Sequence, residues 1–377
     1  MIYLDNAATT FIHPDVIQTI QESLAQVKGN PSSVHELGFE ATREWNAAKD
    51  TIADIFHVSK KQLIFNSSGT EANNIVIQGR YYKTPKARFI TTLTEHSSVL
   101  NTFKALENRG ADVVYLDVDE QGFIALADLE NALQEAPTSL VSILHTNNET
   151  GVIQDIDAIT KLSHQYGALV HYDMVQVLMH APVDLAAINC DFATFSAHKF
   201  FGPKGVGLTF IKDLETLEPH TVGGSQEYRL RAGTPNLSFA KGFVKALEIT
   251  EQNRPDWHTK INHLSKTLLE KLDQSSLKYS LNGPPIGSSR IPGTLNIAID
   301  GVDAIDLRFF LNDHEVYLSL GSACDADSMH ASHVLTAMFK GDEARINSSL
   351  RLSFSPDISE ADLDELIHLI EMYKKSA

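Results

Sequence analysis

Asp191-Phe192-Ala193-Thr194-Phe195-Ser196-Ala197-His198-Lys199 reads as a buried strand that runs into a small polar turn and ends on a lysine. A short, nearly continuous apolar run of this kind suits a strand covered on both faces. Beyond Lys199 come Phe200-Phe201 and then Gly202-Pro203-Lys204-Gly205. A lysine held between two apolar runs loses water, which favours its neutral, nucleophilic form. The competing reading is a lysine that snorkels from a strand end.

The same grammar recurs upstream. Leu63-Ile64-Phe65 is followed by Asn66-Ser67-Ser68-Gly69-Thr70-Glu71-Ala72, and Arg88-Phe89-Ile90-Thr91 by Thr94-Glu95-His96. Leu140 to Leu144 leads to His145-Thr146-Asn147-Asn148-Glu149, and Ala168 to Tyr172 leads to Asp173 and Gln176. Helical stretches such as 97–109 and 155–166 separate most of these strands. The expectation is an α/β fold with a mainly parallel sheet covered by helices. Near Arg254-Pro255-Asp256 the rhythm changes, with a helical run over 257–272 and a turn cluster at Leu281-Asn282-Gly283-Pro284-Pro285, so a domain boundary is expected near residue 255.

In open parallel sheets, ligands bind beyond the carboxyl ends of the strands. Gly69 and Thr70 open a helix, which offers N–H groups, a dipole end and hydroxyls to a phosphate, although Ser, Gly and Thr also serve there as plain caps. His96 is a stacking or acid/base candidate, or simply structural. Asn147-Asn148 can supply donors to a ligand or be ordinary turn chemistry. Asp173 at the end of a buried strand is costly without a partner. Together these strand ends meet the needs of pyridoxal phosphate: a lysine for a Schiff base, an acid to keep the pyridinium protonated, and a phosphate seat. A nucleotide-binding sheet is the competitor, but neither GxGxxG nor GxxxxGK[ST] follows a strand. A metal site made of Cys324, His330 and His333 lacks a fourth ligand at usual spacings.

The 377 residues carry 31 Lys+Arg against 48 Asp+Glu, a net charge of −17, and 43% are hydrophobic. That content supports a large core and excludes disorder. The acidity argues against nucleic-acid or membrane-surface partners, which are polyanions. Met1 to Thr10 show no basic n-region, no run approaches the ~18 apolar residues of a membrane span, and there are two distant cysteines. A reducing, cytoplasmic setting without disulfides is expected. Cys190 reads as a small buried hydrophobe. Cys324, in Gly321-Ser322-Ala323-Cys324-Asp325, reads as a thiol on an exposed, mobile loop whose acidic neighbours disfavour the thiolate.

Several motifs occur in order: Tyr3-Leu4-Asp5-Asn6-Ala7-Ala8-Thr9-Thr10, Gly29-Asn30-Pro31-Ser32, Thr70-Glu71-Ala72-Asn73-Asn74, Thr94-Glu95-His96 and Asn147-Asn148-Glu149. Ser196-Ala197-His198-Lys199, Arg231-Ala232-Gly233-Thr234 and Gly321-Ser322-Ala323-Cys324 follow. Over nearly its whole length the chain resembles the NifS/IscS-type cysteine desulfurases, in the class V aminotransferase group of fold-type I pyridoxal-phosphate enzymes. The resemblance implies a large domain over 13–255 and a smaller α+β domain made of 1–12 with 256–377. It implies that Lys199 carries the Schiff base, Asp173 pairs with the ring nitrogen, His96 stacks on the ring, and Asn148 and Gln176 bond the region of the ring oxygen. Gly69, Thr70, Ser196 and His198 would hold the phosphate, Thr234 would reach the phosphate of the other subunit of a homodimer, and Arg351 would clamp the substrate carboxylate. Cys324 would take sulfur from L-cysteine as a persulfide and pass it to an acceptor protein.

Met174 and Val177 stand where the family has a small residue and a Ser/Thr, Leu320 where a Ser is common, and Ser68-Gly69 replaces a Gly-Ala pair. These departures are expected to reshape the pocket floor without removing a role-bearing group. The short stretch after the last helix favours an acceptor other than an iron–sulfur scaffold, such as a tRNA-thiolation enzyme. Selenocysteine lyase or another lyase or transaminase of the group, and an idle sulfur carrier, are the rival readings. Cys324 separates the first reading from the lyases, and the intact Lys199, Asp173 and His96 speak against the idle carrier.

Overall fold

A computed structural model of the protein describes residues 1–321 and 331–376. Among these, the first eight strands are β1 (Ile2–Tyr3), β2 (Leu63–Asn66), β3 (Arg88–Thr92), β4 (Asp112–Leu116), β5 (Thr138–Leu144), β6 (Leu169–Asp173), β7 (Phe192–Ser196) and β8 (Gly207–Ile211). The rest are β9 (Tyr279–Asn282), β10 (Thr294–Ile299), β11 (Val316–Tyr317) and β12 (Ser349–Ser353). The main sheet has the order β2-β8-β7-β6-β5-β3-β4. All its pairings are parallel except those of β8, which is antiparallel to both neighbours. The expected mainly parallel α/β architecture is therefore found.

Strand residues alternate between two cores. Ile64, Phe89, Leu140 and Phe192 point into the core beneath helices Gly69–Lys83 and Ser97–Glu107. Their successors Phe65, Ile90, Val141 and Ala193 join the larger core on the other face. This explains why the strands read as continuous apolar runs: both faces are covered, so both sets of side chains are buried. Phe89 and Phe192 are fully buried, and truncating either to Ala costs about 3–5 kcal/mol.

A second, antiparallel sheet has the order β12-β10-β9, with Asn296 opposite Arg351. The amino-terminal segment joins this part of the molecule: β1 pairs with β11, and Asp5 bridges to Ser353. The helical run expected over 257–272 is the end of one long helix, Leu237–Gln274, which contains Pro255 and crosses the rhythm change seen in the sequence. A proline inside a helix costs about 3 kcal/mol. Packing against helices Pro14–Gln26, Glu36–Phe56 and Glu360–Ser376 keeps this one continuous. No helix among the described residues is long and apolar enough to cross a membrane.

Candidate active site

Strands β2, β3, β5, β6 and β7 all run the same way, so their carboxyl ends share one edge of the sheet. A cleft lies there. It is lined by Gly69, Thr70, His96, Asn148, Asp173, Gln176, Ser196, His198, Lys199 and Arg351. Ten of the residues expected from the sequence thus meet, although they are spread over nearly three hundred positions.

At the end of β2, Ser68 caps helix Gly69–Lys83 by accepting from the Glu71 N–H at 3.1 Å. The helix therefore starts at the cleft with its positive dipole end and unpaired N–H groups. A Cβ on Gly69 would meet Val175 Cγ2 at 3.0 Å and Ser196 Cβ at 3.6 Å. The seat is closed enough that a side chain there would crowd its wall. His96 caps the next helix through Nδ1, which lies 3.1 Å from the Ser98 N–H and 2.8 Å from Ser98 Oγ.

Asp173 ends β6 and is almost fully buried. Its Oδ2 accepts from Asn73 Nδ2 at 2.8 Å and its Oδ1 from the Val175 N–H at 3.0 Å. These bonds offset the desolvation of the carboxylate and fix its direction. Lys199 closes the turn after β7, and its Nζ donates to the Ala7 and Ala8 carbonyls at 2.6 and 2.8 Å. The tight return at Gly202 makes this possible: a Cβ there would meet Ala197 Cβ at 2.7 Å. Gln176 donates to the Ala7 carbonyl at 3.0 Å. Burial pushes the His198 ring down to about 3, helped by the positive charges of Lys199 and Lys204. His198 is therefore a neutral hydrogen-bonding group at pH 7.

The opposite wall comes from β12 and the amino-terminal segment. Arg351 is fully buried; its Nη2 donates to Asp5 Oδ1 at 2.7 Å. Among the described residues, its buried Nε has no hydrogen-bond acceptor. Its Nη1 lies 3.4 Å from the Asn148 carbonyl, so an arginine in this cleft keeps donors beyond those Asp5 and Asn148 take, which suits an incoming carboxylate.

Thr234 is not in this cleft. It lines a separate hollow with Trp45, Ser67, Glu227 and Arg231. Cys324 and His330 lie outside the described residues, and His333 Nε2 sits 2.9 Å from the Glu95 carbonyl. Cys190 is fully buried, and burial pushes its thiol up to about 12, so it is inert at neutral pH. Met174 and Val177 belong to the core, and Val175 and Gln176 between them line the cleft.

Sequence reasoning gave no role to Asn73, Asp5 or Glu149. Asn73 could have been found, because it lies four residues after Gly69 on the same helix face. Glu149 is buried and accepts from Ser332 Oγ at 2.5 Å; nothing local in the sequence announces that contact. The donor set as a whole fits a flat heterocycle that carries a phosphate and a protonated ring nitrogen, with an amine beside it.

A sequence profile of the aminotransferase class-V family matches residues 2–366. The chain belongs to the class-V aminotransferase family. Members of this family use pyridoxal phosphate. This class-V chain is 34% identical over 371 residues to the cysteine desulfurase IscS of Clostridium botulinum strain Hall, covering 98% of this chain and 93% of that one. A solved NifS-like protein superposes with a TM-score of 0.91 at 31% identity, with full coverage of both chains. SspA in complex with cysteine superposes with a TM-score of 0.82 at 30% identity, covering 94% of this chain and 99% of that one. The class-V assignment agrees with the resemblance seen in the ordered sequence motifs.

Proposed function

We propose that the chain is a pyridoxal-phosphate-dependent cysteine desulfurase that moves the sulfur of L-cysteine onto Cys324 and releases L-alanine. One observation carries this reading. Lys199, Asp173, His96 and the Ser68–Thr70 turn converge on one cleft, in a chain that also contains Gly321-Ser322-Ala323-Cys324. When bound, the cofactor supplies an electron sink for the bonds at the substrate Cα.

The chain's own groups do the rest. Lys199 would provide the amine that holds the cofactor and the base for the substrate Cα proton. Asp173, aimed by Asn73 and the Val175 N–H, would keep a proton on the ring nitrogen. His96 would stack on the ring, and Asn148 and Gln176 would bond the region of its oxygen; all three line the cleft. Gly69, Thr70, Ser196 and neutral His198 receive the phosphate. Arg351 would bind the substrate carboxylate through the guanidinium donors that Asp5 and Asn148 leave. The Cys324 thiolate forms an S–S bond to the substrate sulfur as the substrate C–S bond breaks; a proton completes alanine.

Thr234, outside this chain's cleft, is assigned to the phosphate of a second copy in a homodimer. The persulfide sulfur then passes to an acceptor protein in the cytoplasm, serving tRNA thiolation or iron–sulfur or other cofactor synthesis. A neighbour in complex with cysteine supports the substrate assignment.

The test is direct. Purified protein should bind pyridoxal phosphate with a visible absorption band and turn L-cysteine into equal amounts of sulfide and alanine in the presence of a thiol reductant. Lys199→Ala should lose the characteristic band and lower turnover by about 10³-fold. Cys324→Ala should keep the band and lose sulfide release. Equal sulfide from Cys324→Ala and wild type would overturn the persulfide route.

A further inference from the structure

The turn that forms the phosphate seat carries an apparent contradiction. Glu71 sits in the first turn of helix Gly69–Lys83, next to Gly69 and Thr70. Its Oε2 accepts from the Ser67 N–H at 2.7 Å, while its own N–H donates to Ser68 Oγ. Glu71 thus fastens the turn from both sides, through the residue before the cap and through the cap itself. The same carboxylate adds a negative charge to the first turn of the helix whose amino-terminal end forms the seat, and so opposes a phosphate dianion bound there.

Arg231 meets that charge. Its Nε lies 2.7 Å from Glu71 Oε1 and its Nη2 3.3 Å from Oε2, a two-pronged pair. The side chains are 24% and 18% exposed, so water screens the pair only in part. Burial alone would raise the Glu71 carboxyl, but hydrogen bonds from Arg231 and Ser67 bring it below the usual range. Glu71 is therefore charged at neutral pH.

Arg231 is delivered by a segment that is fixed independently of Glu71. Just before it, Glu227, Tyr228 and Arg229 have φ values of 45°, 57° and 70°. Three successive non-glycine residues in the left-handed region persist only where the surroundings over-determine them. Here Glu227 Oε2 is 2.8 Å from Lys49 Nζ in a buried pair and also accepts from the Phe65 N–H at 3.1 Å. Phe65 belongs to β2, the strand that leads into the seat. The segment is thus tied to β2 just before the seat and to Glu71 just after it.

We propose that Arg231 is a positioning residue for the phosphate seat: it cancels the charge of Glu71 while leaving Glu71 free to hold the turn in shape. The inference rests on the cofactor reading above. It predicts a specific pattern in a double-variant cycle. Apoprotein would be titrated with pyridoxal phosphate by absorbance, and with inorganic phosphate as competitor. Arg231→Gln should weaken both by about tenfold, because Glu71 is left uncompensated. Glu71→Gln should weaken them by about threefold or less, since the amide keeps an acceptor for the Ser67 N–H. The double variant should recover to within about threefold of wild type, and Arg231→Lys should keep most of the affinity.

Wild-type affinity in Arg231→Gln, or a double variant that binds as weakly as Arg231→Gln, would overturn the proposal while leaving the cofactor reading in place. Wild-type protein that takes up no pyridoxal phosphate would overturn both.

Discussion

The two walls of the cleft are built in different ways. On one wall, Asp173, Ser196 and Lys199 lie at or within three residues of the ends of β6 and β7. Asn73 on the neighbouring helix and the Val175 N–H hold Asp173, while Lys199 reaches across to the Ala7 and Ala8 carbonyls; the places of all three in the chain follow from strand direction. On the other wall, Arg351 from the middle of β12 meets Asp5, a partner 346 positions away. That wall exists only because the amino-terminal segment pairs with β11 and bridges to β12. The difference suggests a division of labour. The sheet edge holds groups for the chemistry, and the assembled wall recognises what enters.

Substitutions can break or sharpen this division. The largest effect is expected on the sheet edge. Asp173→Ala should lower turnover by at least about 10²-fold, with Asn73→Ala, which removes one of the two bonds aiming Asp173, costing about tenfold less. Rapid-mixing assays of alanine formation would measure both; an Asp173→Ala enzyme of near wild-type rate would remove the carboxylate from the chemistry.

On the assembled wall, Arg351→Lys should raise KM for L-cysteine by about tenfold and leave kcat within about twofold, because a lysine cannot make a forked contact. A fall in kcat without a change in KM would place the arginine with the chemistry and erase the distinction between the walls.

Glu95, next to His96 in the chain, gives the smallest, pH-dependent effect. Its carboxyl is fully buried, with Oε1 accepting from Thr92 at 2.7 Å, while its backbone carbonyl faces His333. Burial raises this carboxyl from 4.5 to about 8, and hydrogen bonds from Leu144 and Thr92 only partly offset it. The folded chain therefore holds a proton between those values that the unfolded chain has released. This contribution to stability is fully present below about pH 4.5 and is lost as pH rises towards 8. Glu95→Gln, which stays neutral, should flatten that decline. Melting curves of the two proteins from pH 5 to 8.5 should diverge in favour of the variant; parallel curves would show that Glu95 is ionised when buried.

Much of the fold was legible because strands covered on both faces leave long apolar runs, and because the groups that follow them must emerge at one edge. Lys199, Asp173 and His96 could be singled out on that ground. Pro255 misled for an equally local reason: it looks like a break, but the packing of three other helices carries the helix through it. Met174 and Val177 lie close to Asp173 in the chain, but proximity does not say which face a side chain takes; the turn after β6 sends Val175 and Gln176 to the cleft and Met174 and Val177 to the core.

What the amino-acid sequence determined by itself was the α/β architecture, the sheet edge that carries the site, and the residues at the strand ends. These depend on periodicity and strand direction, which are short-range properties of the chain. Tertiary structure alone decided that Asp5 pairs with Arg351, that Asn73 aims Asp173, that Glu149 reaches Ser332 and that Arg231 meets Glu71. Those contacts join groups 100 or more positions apart in every case, and no local pattern encodes which distant partner will satisfy a buried charge or amide. The requirement that such groups be paired is general physics; the choice of partner belongs to the folded molecule.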